Sequence, residues 1–171
     1  ADNIKFFFGG LIRECAKAHA ICSLKILYNE PMSSESALPT PPTESIVYED
    51  AWLYVCLAFY PITKGHVVVV WKNTAPDLRV LSDSEYDYLM EIMDIARDAM
   101  LEMLSVEKIY LVYMDEAKQV HWHLVPRYNE QGFNVFAHQP QMTNDFALAP
   151  HLSKAFWERR KTRDVRLPIE K

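Results

Sequence analysis

The chain has only four glycines in 171 residues, Gly9, Gly10, Gly65 and Gly132. Phosphate-cradling loops and dinucleotide-binding fingerprints need several glycines at fixed spacing, so that backbone amides can approach phosphate, and neither pattern exists here. Any phosphate chemistry therefore falls to side chains and isolated amides. Cysteine is equally sparse. Cys15, Cys22 and Cys56 are an odd set without paired short spacing, which speaks against a disulfide framework or a four-cysteine zinc site and fits a reducing, cytoplasmic compartment. No apolar run approaches the roughly 20 residues that span a bilayer, because the best stretch, Trp52 to Phe59, has only strand length. The first ten residues are aromatic but lack the charged start and long apolar middle of a signal peptide. Positive charge is not in excess either. With 18 Lys and Arg against 23 Asp and Glu the net charge is -5, so nothing pulls the chain generally toward polynucleotides or anionic membranes, while a single nucleotide can still be held by local donors.

Half the residues are hydrophobic, enough for one domain with a proper core. Leu11 to Ile26 carries apolar residues at helical spacing and is expected to form a first helix. Pro31 to Thr43 is a connector rich in Pro, Ser and Thr. Ile46 to Tyr48 and Trp52 to Phe59 read as neighbouring strands, and His66 to Trp71 as the next, opened by the turn at Gly65. Ser82 and Glu85 have capping-box spacing. The stripe Tyr86, Leu89, Met90, Met93, Ala96, Met100, Met103 and Leu104 then predicts a long helix to about residue 105, its methionines packing in a core. Ile109 to Met114 and Val120 to Pro126 read as a closing antiparallel hairpin around the charged turn 115–118, and Ser153 to Arg160 as an amphipathic helix with a solvated basic end. The expectation is an α+β domain: an antiparallel sheet of about five strands with a long helix packed on it and helices mainly on one side. Residues 1–45 form an N-terminal helix and connector, 46–128 the core, and 129–171 a C-terminal extension, all within one domain.

The most informative segment is Gln119-Val120-His121-Trp122-His123-Leu124-Val125-Pro126-Arg127. On a strand, Val120, Trp122 and Leu124 face the core, while Gln119, His121, His123 and Val125 share the other, exposed face, with the two imidazoles about 7 Å apart. That places a nucleophile and a proton donor side by side on a rigid element. The same spacing also suits two metal ligands, or polar residues that merely alternate with a core. His66, after Gly65 and before Val67-Val68-Val69-Val70, adds a third imidazole, for which a supporting and a purely structural role weigh about equally.

Together these residues resemble the histidine triad superfamily of nucleotide hydrolases and transferases, whose signature is His, apolar, His, apolar, His, apolar, apolar, often followed by Pro-Arg. The likeness runs from Ile46 to Arg127 and includes Tyr48-Glu49-Asp50. It implies that His121 attacks the α-phosphorus of a nucleotide to give a covalent nucleotidyl-histidine. His123 would protonate or hydrogen-bond the departing group, Gln119 and His66 would support substrate and site, and water would release a nucleoside monophosphate. A non-water acceptor would make a nucleotidyltransferase, and loss of turnover would leave a nucleotide-binding or interaction module. The implied partner is a nucleotide or nucleotide conjugate, with phosphoanhydride or phosphoramidate linkage. The implied assembly is a homodimer, and no cofactor is expected. Arg127, able to neutralise phosphate or simply to end the strand, is left outside the assigned set.

Three departures from the family pattern matter. Gln119 replaces the first triad histidine and cannot carry a positive charge. Ala58, eight positions before His66, stands where many members place an Asp or Asn for the ribose. After the valine-rich strand the chain reads Trp71-Lys72-Asn73-Thr74, without the expected histidine. With only His19 and Cys22 echoing the zinc-binding relatives, no metal is predicted. Protein purified without chelator should hold well under one equivalent of zinc by elemental analysis, and chelator should leave activity intact. Stoichiometric zinc required for turnover would overturn this.

Overall fold

The computed structural model describes residues 38–113, 117–129, 134 and 143–168. The expected helix from Leu11 to Ile26, with His19 and Cys22, lies outside the described residues, as do residues 115 and 116 of the turn at 115–118. The described residues form five strands, β1 (Ile46–Glu49), β2 (Leu53–Leu57), β3 (Val67–Trp71), β4 (Lys108–Tyr113) and β5 (His121–Arg127). Helix α1 (Asp83–Leu104) connects β3 to β4, and α2 (Leu148–Lys161) follows β5. The sheet order is β1-β2-β3-β5-β4 with every pair antiparallel, so the expected α+β architecture is the one observed. Strand β5 closes a hairpin with β4, yet also inserts beside β3, which makes it an inner strand.

Register sorts the side chains into two faces. Val55, Val69 and Trp122 form one cross-strand row, and Leu57, Val67, Leu124 and Leu111 another. Apart from Leu111, which is exposed, this face meets Leu89, Met93, Ala96 and Met100 of α1 in a buried core. The alternate rows are Tyr54, Val70 and His121, then Cys56, Val68, His123 and Val112, so both triad-strand histidines lie on the face turned away from that core. That face is not open, as the bare alternation suggested: His121 is 2% exposed, His123 8% and Val125 0%. The period-2 pattern reports which residues share a face, not whether loops cover it.

Helix α1 starts at the expected capping box, in which Ser82 Oγ accepts from Glu85 N and Glu85 Oε2 accepts from Ser82 N. Its buried surface is wider than the predicted stripe. Tyr88, Ile92, Ile95 and Ala99 form a second buried row, whereas Tyr86 and Met103 are exposed. The helix packs on the sheet and also on α2, and two contact partners require two apolar rows. Helix α2 begins five residues earlier than the sequence pattern indicated, with Pro150 in its first turn, where the missing N–H has no intrahelical acceptor to lose. It docks on β1 by stacking Phe156 on Tyr48 at 4.7 Å between ring centroids, and Arg163 beyond its end binds Asp94 and Asp98 of α1. Among the described residues no helix is long and apolar enough to cross a membrane.

The turn that launches β3 is built on Gly65, whose φ of +77° belongs to the left-handed region. A Cβ there would lie 2.8 Å from Leu104 Cδ1 at the end of α1. Gly65→Ala should therefore lower stability by roughly 2 kcal/mol or more in urea unfolding, from backbone strain and overpacking together. A change under about 0.5 kcal/mol would show that the turn is not tightly held.

Candidate active site

His66, His121 and His123 come together although they arrive from two segments. The His121 and His123 rings lie 5.1 Å apart between centroids at 75°, closer than strand rise alone would place them, and His66 and His123 are also 5.1 Å apart. The hydrogen-bond partners assign each tautomer. Ile62 N donates to His66 Nδ1 at 3.1 Å, which puts the His66 proton on Nε2. That Nε2–H donates to His123 Nδ1 at 3.0 Å, which puts the His123 proton on its own Nε2. His121 Nδ1 donates to the Gln119 carbonyl at 2.9 Å and leaves the His121 lone pair on Nε2. Adjacent rings thus present an unprotonated nitrogen and a protonated one.

Burial keeps the relay neutral. Desolvation pushes the His66 imidazolium pKa down to about 3. It also pushes His123 well below the ordinary histidine value, helped by the neighbouring His66 and His121. Desolvation likewise raises the Cys56 thiol, in the same cross-strand row as His123, to about 12, so it is protonated and not a nucleophile at neutral pH.

Gln119 occupies the first triad position, but its side chain turns to backbone. Its Nε2 donates to Trp71 O at 2.8 Å, and its Oε1 accepts from Leu38 N at 2.8 Å. The group that reaches His121 is the Gln119 carbonyl, which any residue at this position would supply. Ala58 donates its N–H to His66 O at 2.9 Å and brings no polar side chain. Arg127 donates to Tyr110 Oη at 3.0 Å at the end of the strand. Lys72 is tied to Glu49 and to the Asp50 carbonyl, above the Tyr54 ring.

Several residues that shape the site carry no sequence signature. Thr63 Oγ1 donates to Pro126 O at 2.7 Å and pins the His66 loop to β5. Asn144, 78 residues beyond His66, donates from Nδ2 to His66 O at 3.0 Å. A lone Thr and a distant Asn become legible only once the fold brings them to the loop.

The family comparison bears on this arrangement. Residues 41–130, just over half the chain, match the family model described as the HIT domain. The chain belongs to the HIT domain family. The fold of this HIT protein is similar to that of a zinc-bound histidine triad family protein from Mycobacterium smegmatis, at 23% identity and a TM-score of 0.56, over 72% of this chain and 90% of that one. It is also similar to Plasmodium falciparum diadenosine triphosphate hydrolase in complex with cyclomarin A, at 12% identity and a TM-score of 0.58, over 77% and 90%. The C. elegans NitFhit protein shares 20% identity and a TM-score of 0.52, over 90% of this chain and 37% of that one. At these identities the likeness is one of fold. Comparison with curated protein sequences gives no significant match. Zinc does not fit the described residues of this HIT protein: none of their His, Cys, Asp and Glu side chains group in threes to hold a metal, and His66 spends both ring nitrogens on Ile62 and His123.

The buried relay carries a pH signature. Folded His66 stays unprotonated down to about 3, whereas in the unfolded chain it binds a proton below its ordinary value of 6.5. Between those values the unfolded state holds more protons, so stability falls as pH falls, by about 1.4 kcal/mol per pH unit for each such histidine. Above 6.5 the contribution is fully present. His66→Asn should lose roughly 1–2 kcal/mol less than the parent between pH 7 and pH 5 in urea unfolding. Identical losses would mean that His66 titrates normally in the fold.

Proposed function

We propose that the protein is a histidine triad nucleotide hydrolase that releases a nucleoside monophosphate through a nucleotidyl-histidine at His121. The observation that carries this reading is the tautomer set: Nε2 of His121 holds its lone pair because Nδ1 donates to the Gln119 carbonyl. A neutral imidazole needs no deprotonation before it attacks. Attack on the α-phosphorus forms an N–P bond and breaks the bond to the leaving group, which departs with the electron pair. The phosphorylated ring is an imidazolium, and its charge is stabilised by the same Gln119 carbonyl across the Nδ1–H bond. Water then attacks phosphorus and the N–P bond breaks with its electron pair returning to His121 Nε2; one water proton stays on the released monophosphate and the other passes to solvent, restoring neutral His121.

His123 acts on the leaving group through Nε2–H. Because burial holds this imidazole neutral, it stabilises the departing oxygen by a hydrogen bond rather than by surrendering a proton. The arrangement favours phosphoanhydrides, whose phosphate leaving groups depart as anions, over phosphoramidates, whose amines need a full proton. His66 fixes the His123 tautomer, and the Gln119 carbonyl fixes that of His121, so the missing triad histidine removes no group that touches the reacting atoms in this scheme.

The test uses substrate labelled at the α-phosphate, with dinucleoside polyphosphates and nucleoside phosphoramidates of both adenine and guanine. The parent should carry acid-labile label and release monophosphate, and His121→Ala should lose both. His123→Ala should slow turnover roughly 10- to 100-fold, the size of one lost hydrogen bond to a charged group. Unchanged turnover in His121→Ala would sink the mechanism. Release that requires an added acceptor would identify a transferase, and binding without release an inactive module.

A further inference from the structure

We infer that Asn144, outside the matched HIT domain, is the positioning residue that holds His66 in register with His123 during turnover. The inference rests on the hydrolase reading for its kinetic half only. His66 lies on no strand. It sits at the end of a loop from Phe59, immediately before β3, and its ring has to keep one nitrogen on Ile62 and the other on His123. Asn144 brackets it. Oδ1 accepts from Gly65 N at 3.1 Å on one side, and Nδ2 donates to His66 O at 3.0 Å on the other. The Asn144 backbone N–H donates to Phe59 O at 3.1 Å, so one residue closes both limbs of the loop.

The bracket is itself buried and anchored. Asn144 is 7% exposed, and its Oδ1 also accepts from Asp145 N at 3.0 Å. Asp145 forms an ion pair with Lys64 at 3.2 Å, and Phe146 packs on Phe59 at 5.8 Å between ring centroids. Helix α2 follows directly and is docked on α1 and β1. The His66 loop is thus held from two sides, by the Thr63 bond to Pro126 of β5 and by residues from beyond residue 130, where the family match ends. A shift of about 1 Å in a group that sets catalytic geometry can cost as much as 100-fold in rate, and His66 is such a group for His123. The site of this protein is completed by its own C-terminal segment.

The test compares the parent chain with Asn144→Ala and Asn144→Asp. The second keeps the acceptor for Gly65 N–H but replaces the donor to His66 O. Nitrogen-15 NMR of the imidazoles reads the coupling across the His66 Nε2–H to His123 Nδ1 hydrogen bond, and steady-state kinetics separates kcat from KM on a dinucleoside polyphosphate. Both variants should lose the coupling and drop kcat by about 10- to 100-fold, with KM within about threefold. Should Asn144→Ala fail to fold, Asn144→Asp carries the measurement alone. A folded variant that keeps the coupling, or loses it with parental kcat, overturns the inference. If the parent itself releases no nucleotide, the hydrolase reading fails, while the coupling still decides whether Asn144 holds the two imidazoles together.

Discussion

The site depends on the double pairing of β5. His123 lies opposite Val68 on one side and Val112 on the other, and His121 opposite Val70, so the strand is gripped along both edges. A slip of one residue would exchange the faces, burying the imidazoles against α1 and turning Val120, Trp122 and Leu124 away from the core. The cost of misplacing Leu124, fully buried in that core, is what holds the register. Core packing on one face thus fixes chemical geometry on the other.

From this constraint follows the neutral relay. Two imidazoles held 5.1 Å apart in a buried setting cannot both ionise cheaply, and burial alone already disfavours a charged His66. Neutral rings must still satisfy their nitrogens, and the protein does so in one direction: the Ile62 amide to His66, then His66 to His123. Each bond determines the next tautomer. This chain of ordinary hydrogen bonds places a proton on the outer nitrogen of His123, and the separate bond from His121 Nδ1 to the Gln119 carbonyl leaves the lone pair on His121 Nε2.

The opposite face carries a half-buried polar group that serves the same geometry at a distance. Asp50 accepts from the hydroxyls of Tyr48 and Tyr88 and, through its other oxygen, from the amides of Trp52 and Leu53. Four donors satisfy the carboxylate and tie the β1–β2 turn to α1. Desolvation raises both tyrosines, so they remain protonated donors. Arg160 of α2 lies over the Tyr48 ring at 5.7 Å, which seats the C-terminal helix on this cluster, and the approach to that helix delivers Asn144 to the His66 loop.

Much of this was legible in the residues themselves. The period-2 run from Gln119 to Arg127 determines that His121 and His123 share a face, Gly65-His66 before a valine strand marks the third imidazole, and Ser82 with Glu85 locates the start of α1, because each is a local pattern imposed by backbone geometry. The residues of the long helix that would be buried were only half legible: a second row, Tyr88, Ile92, Ile95 and Ala99, is buried on a helix that also packs on α2, and helical period cannot announce a second neighbour. The covering of the histidine face, the turning of the Gln119 side chain toward backbone, and the arrival of Thr63 and Asn144 at the His66 loop were decided by tertiary structure alone. Sequence spacing specifies what lies on one strand or helix. Burial, tautomer and pKa depend on groups brought from 57 or 78 residues away, and only the packed fold sets those distances.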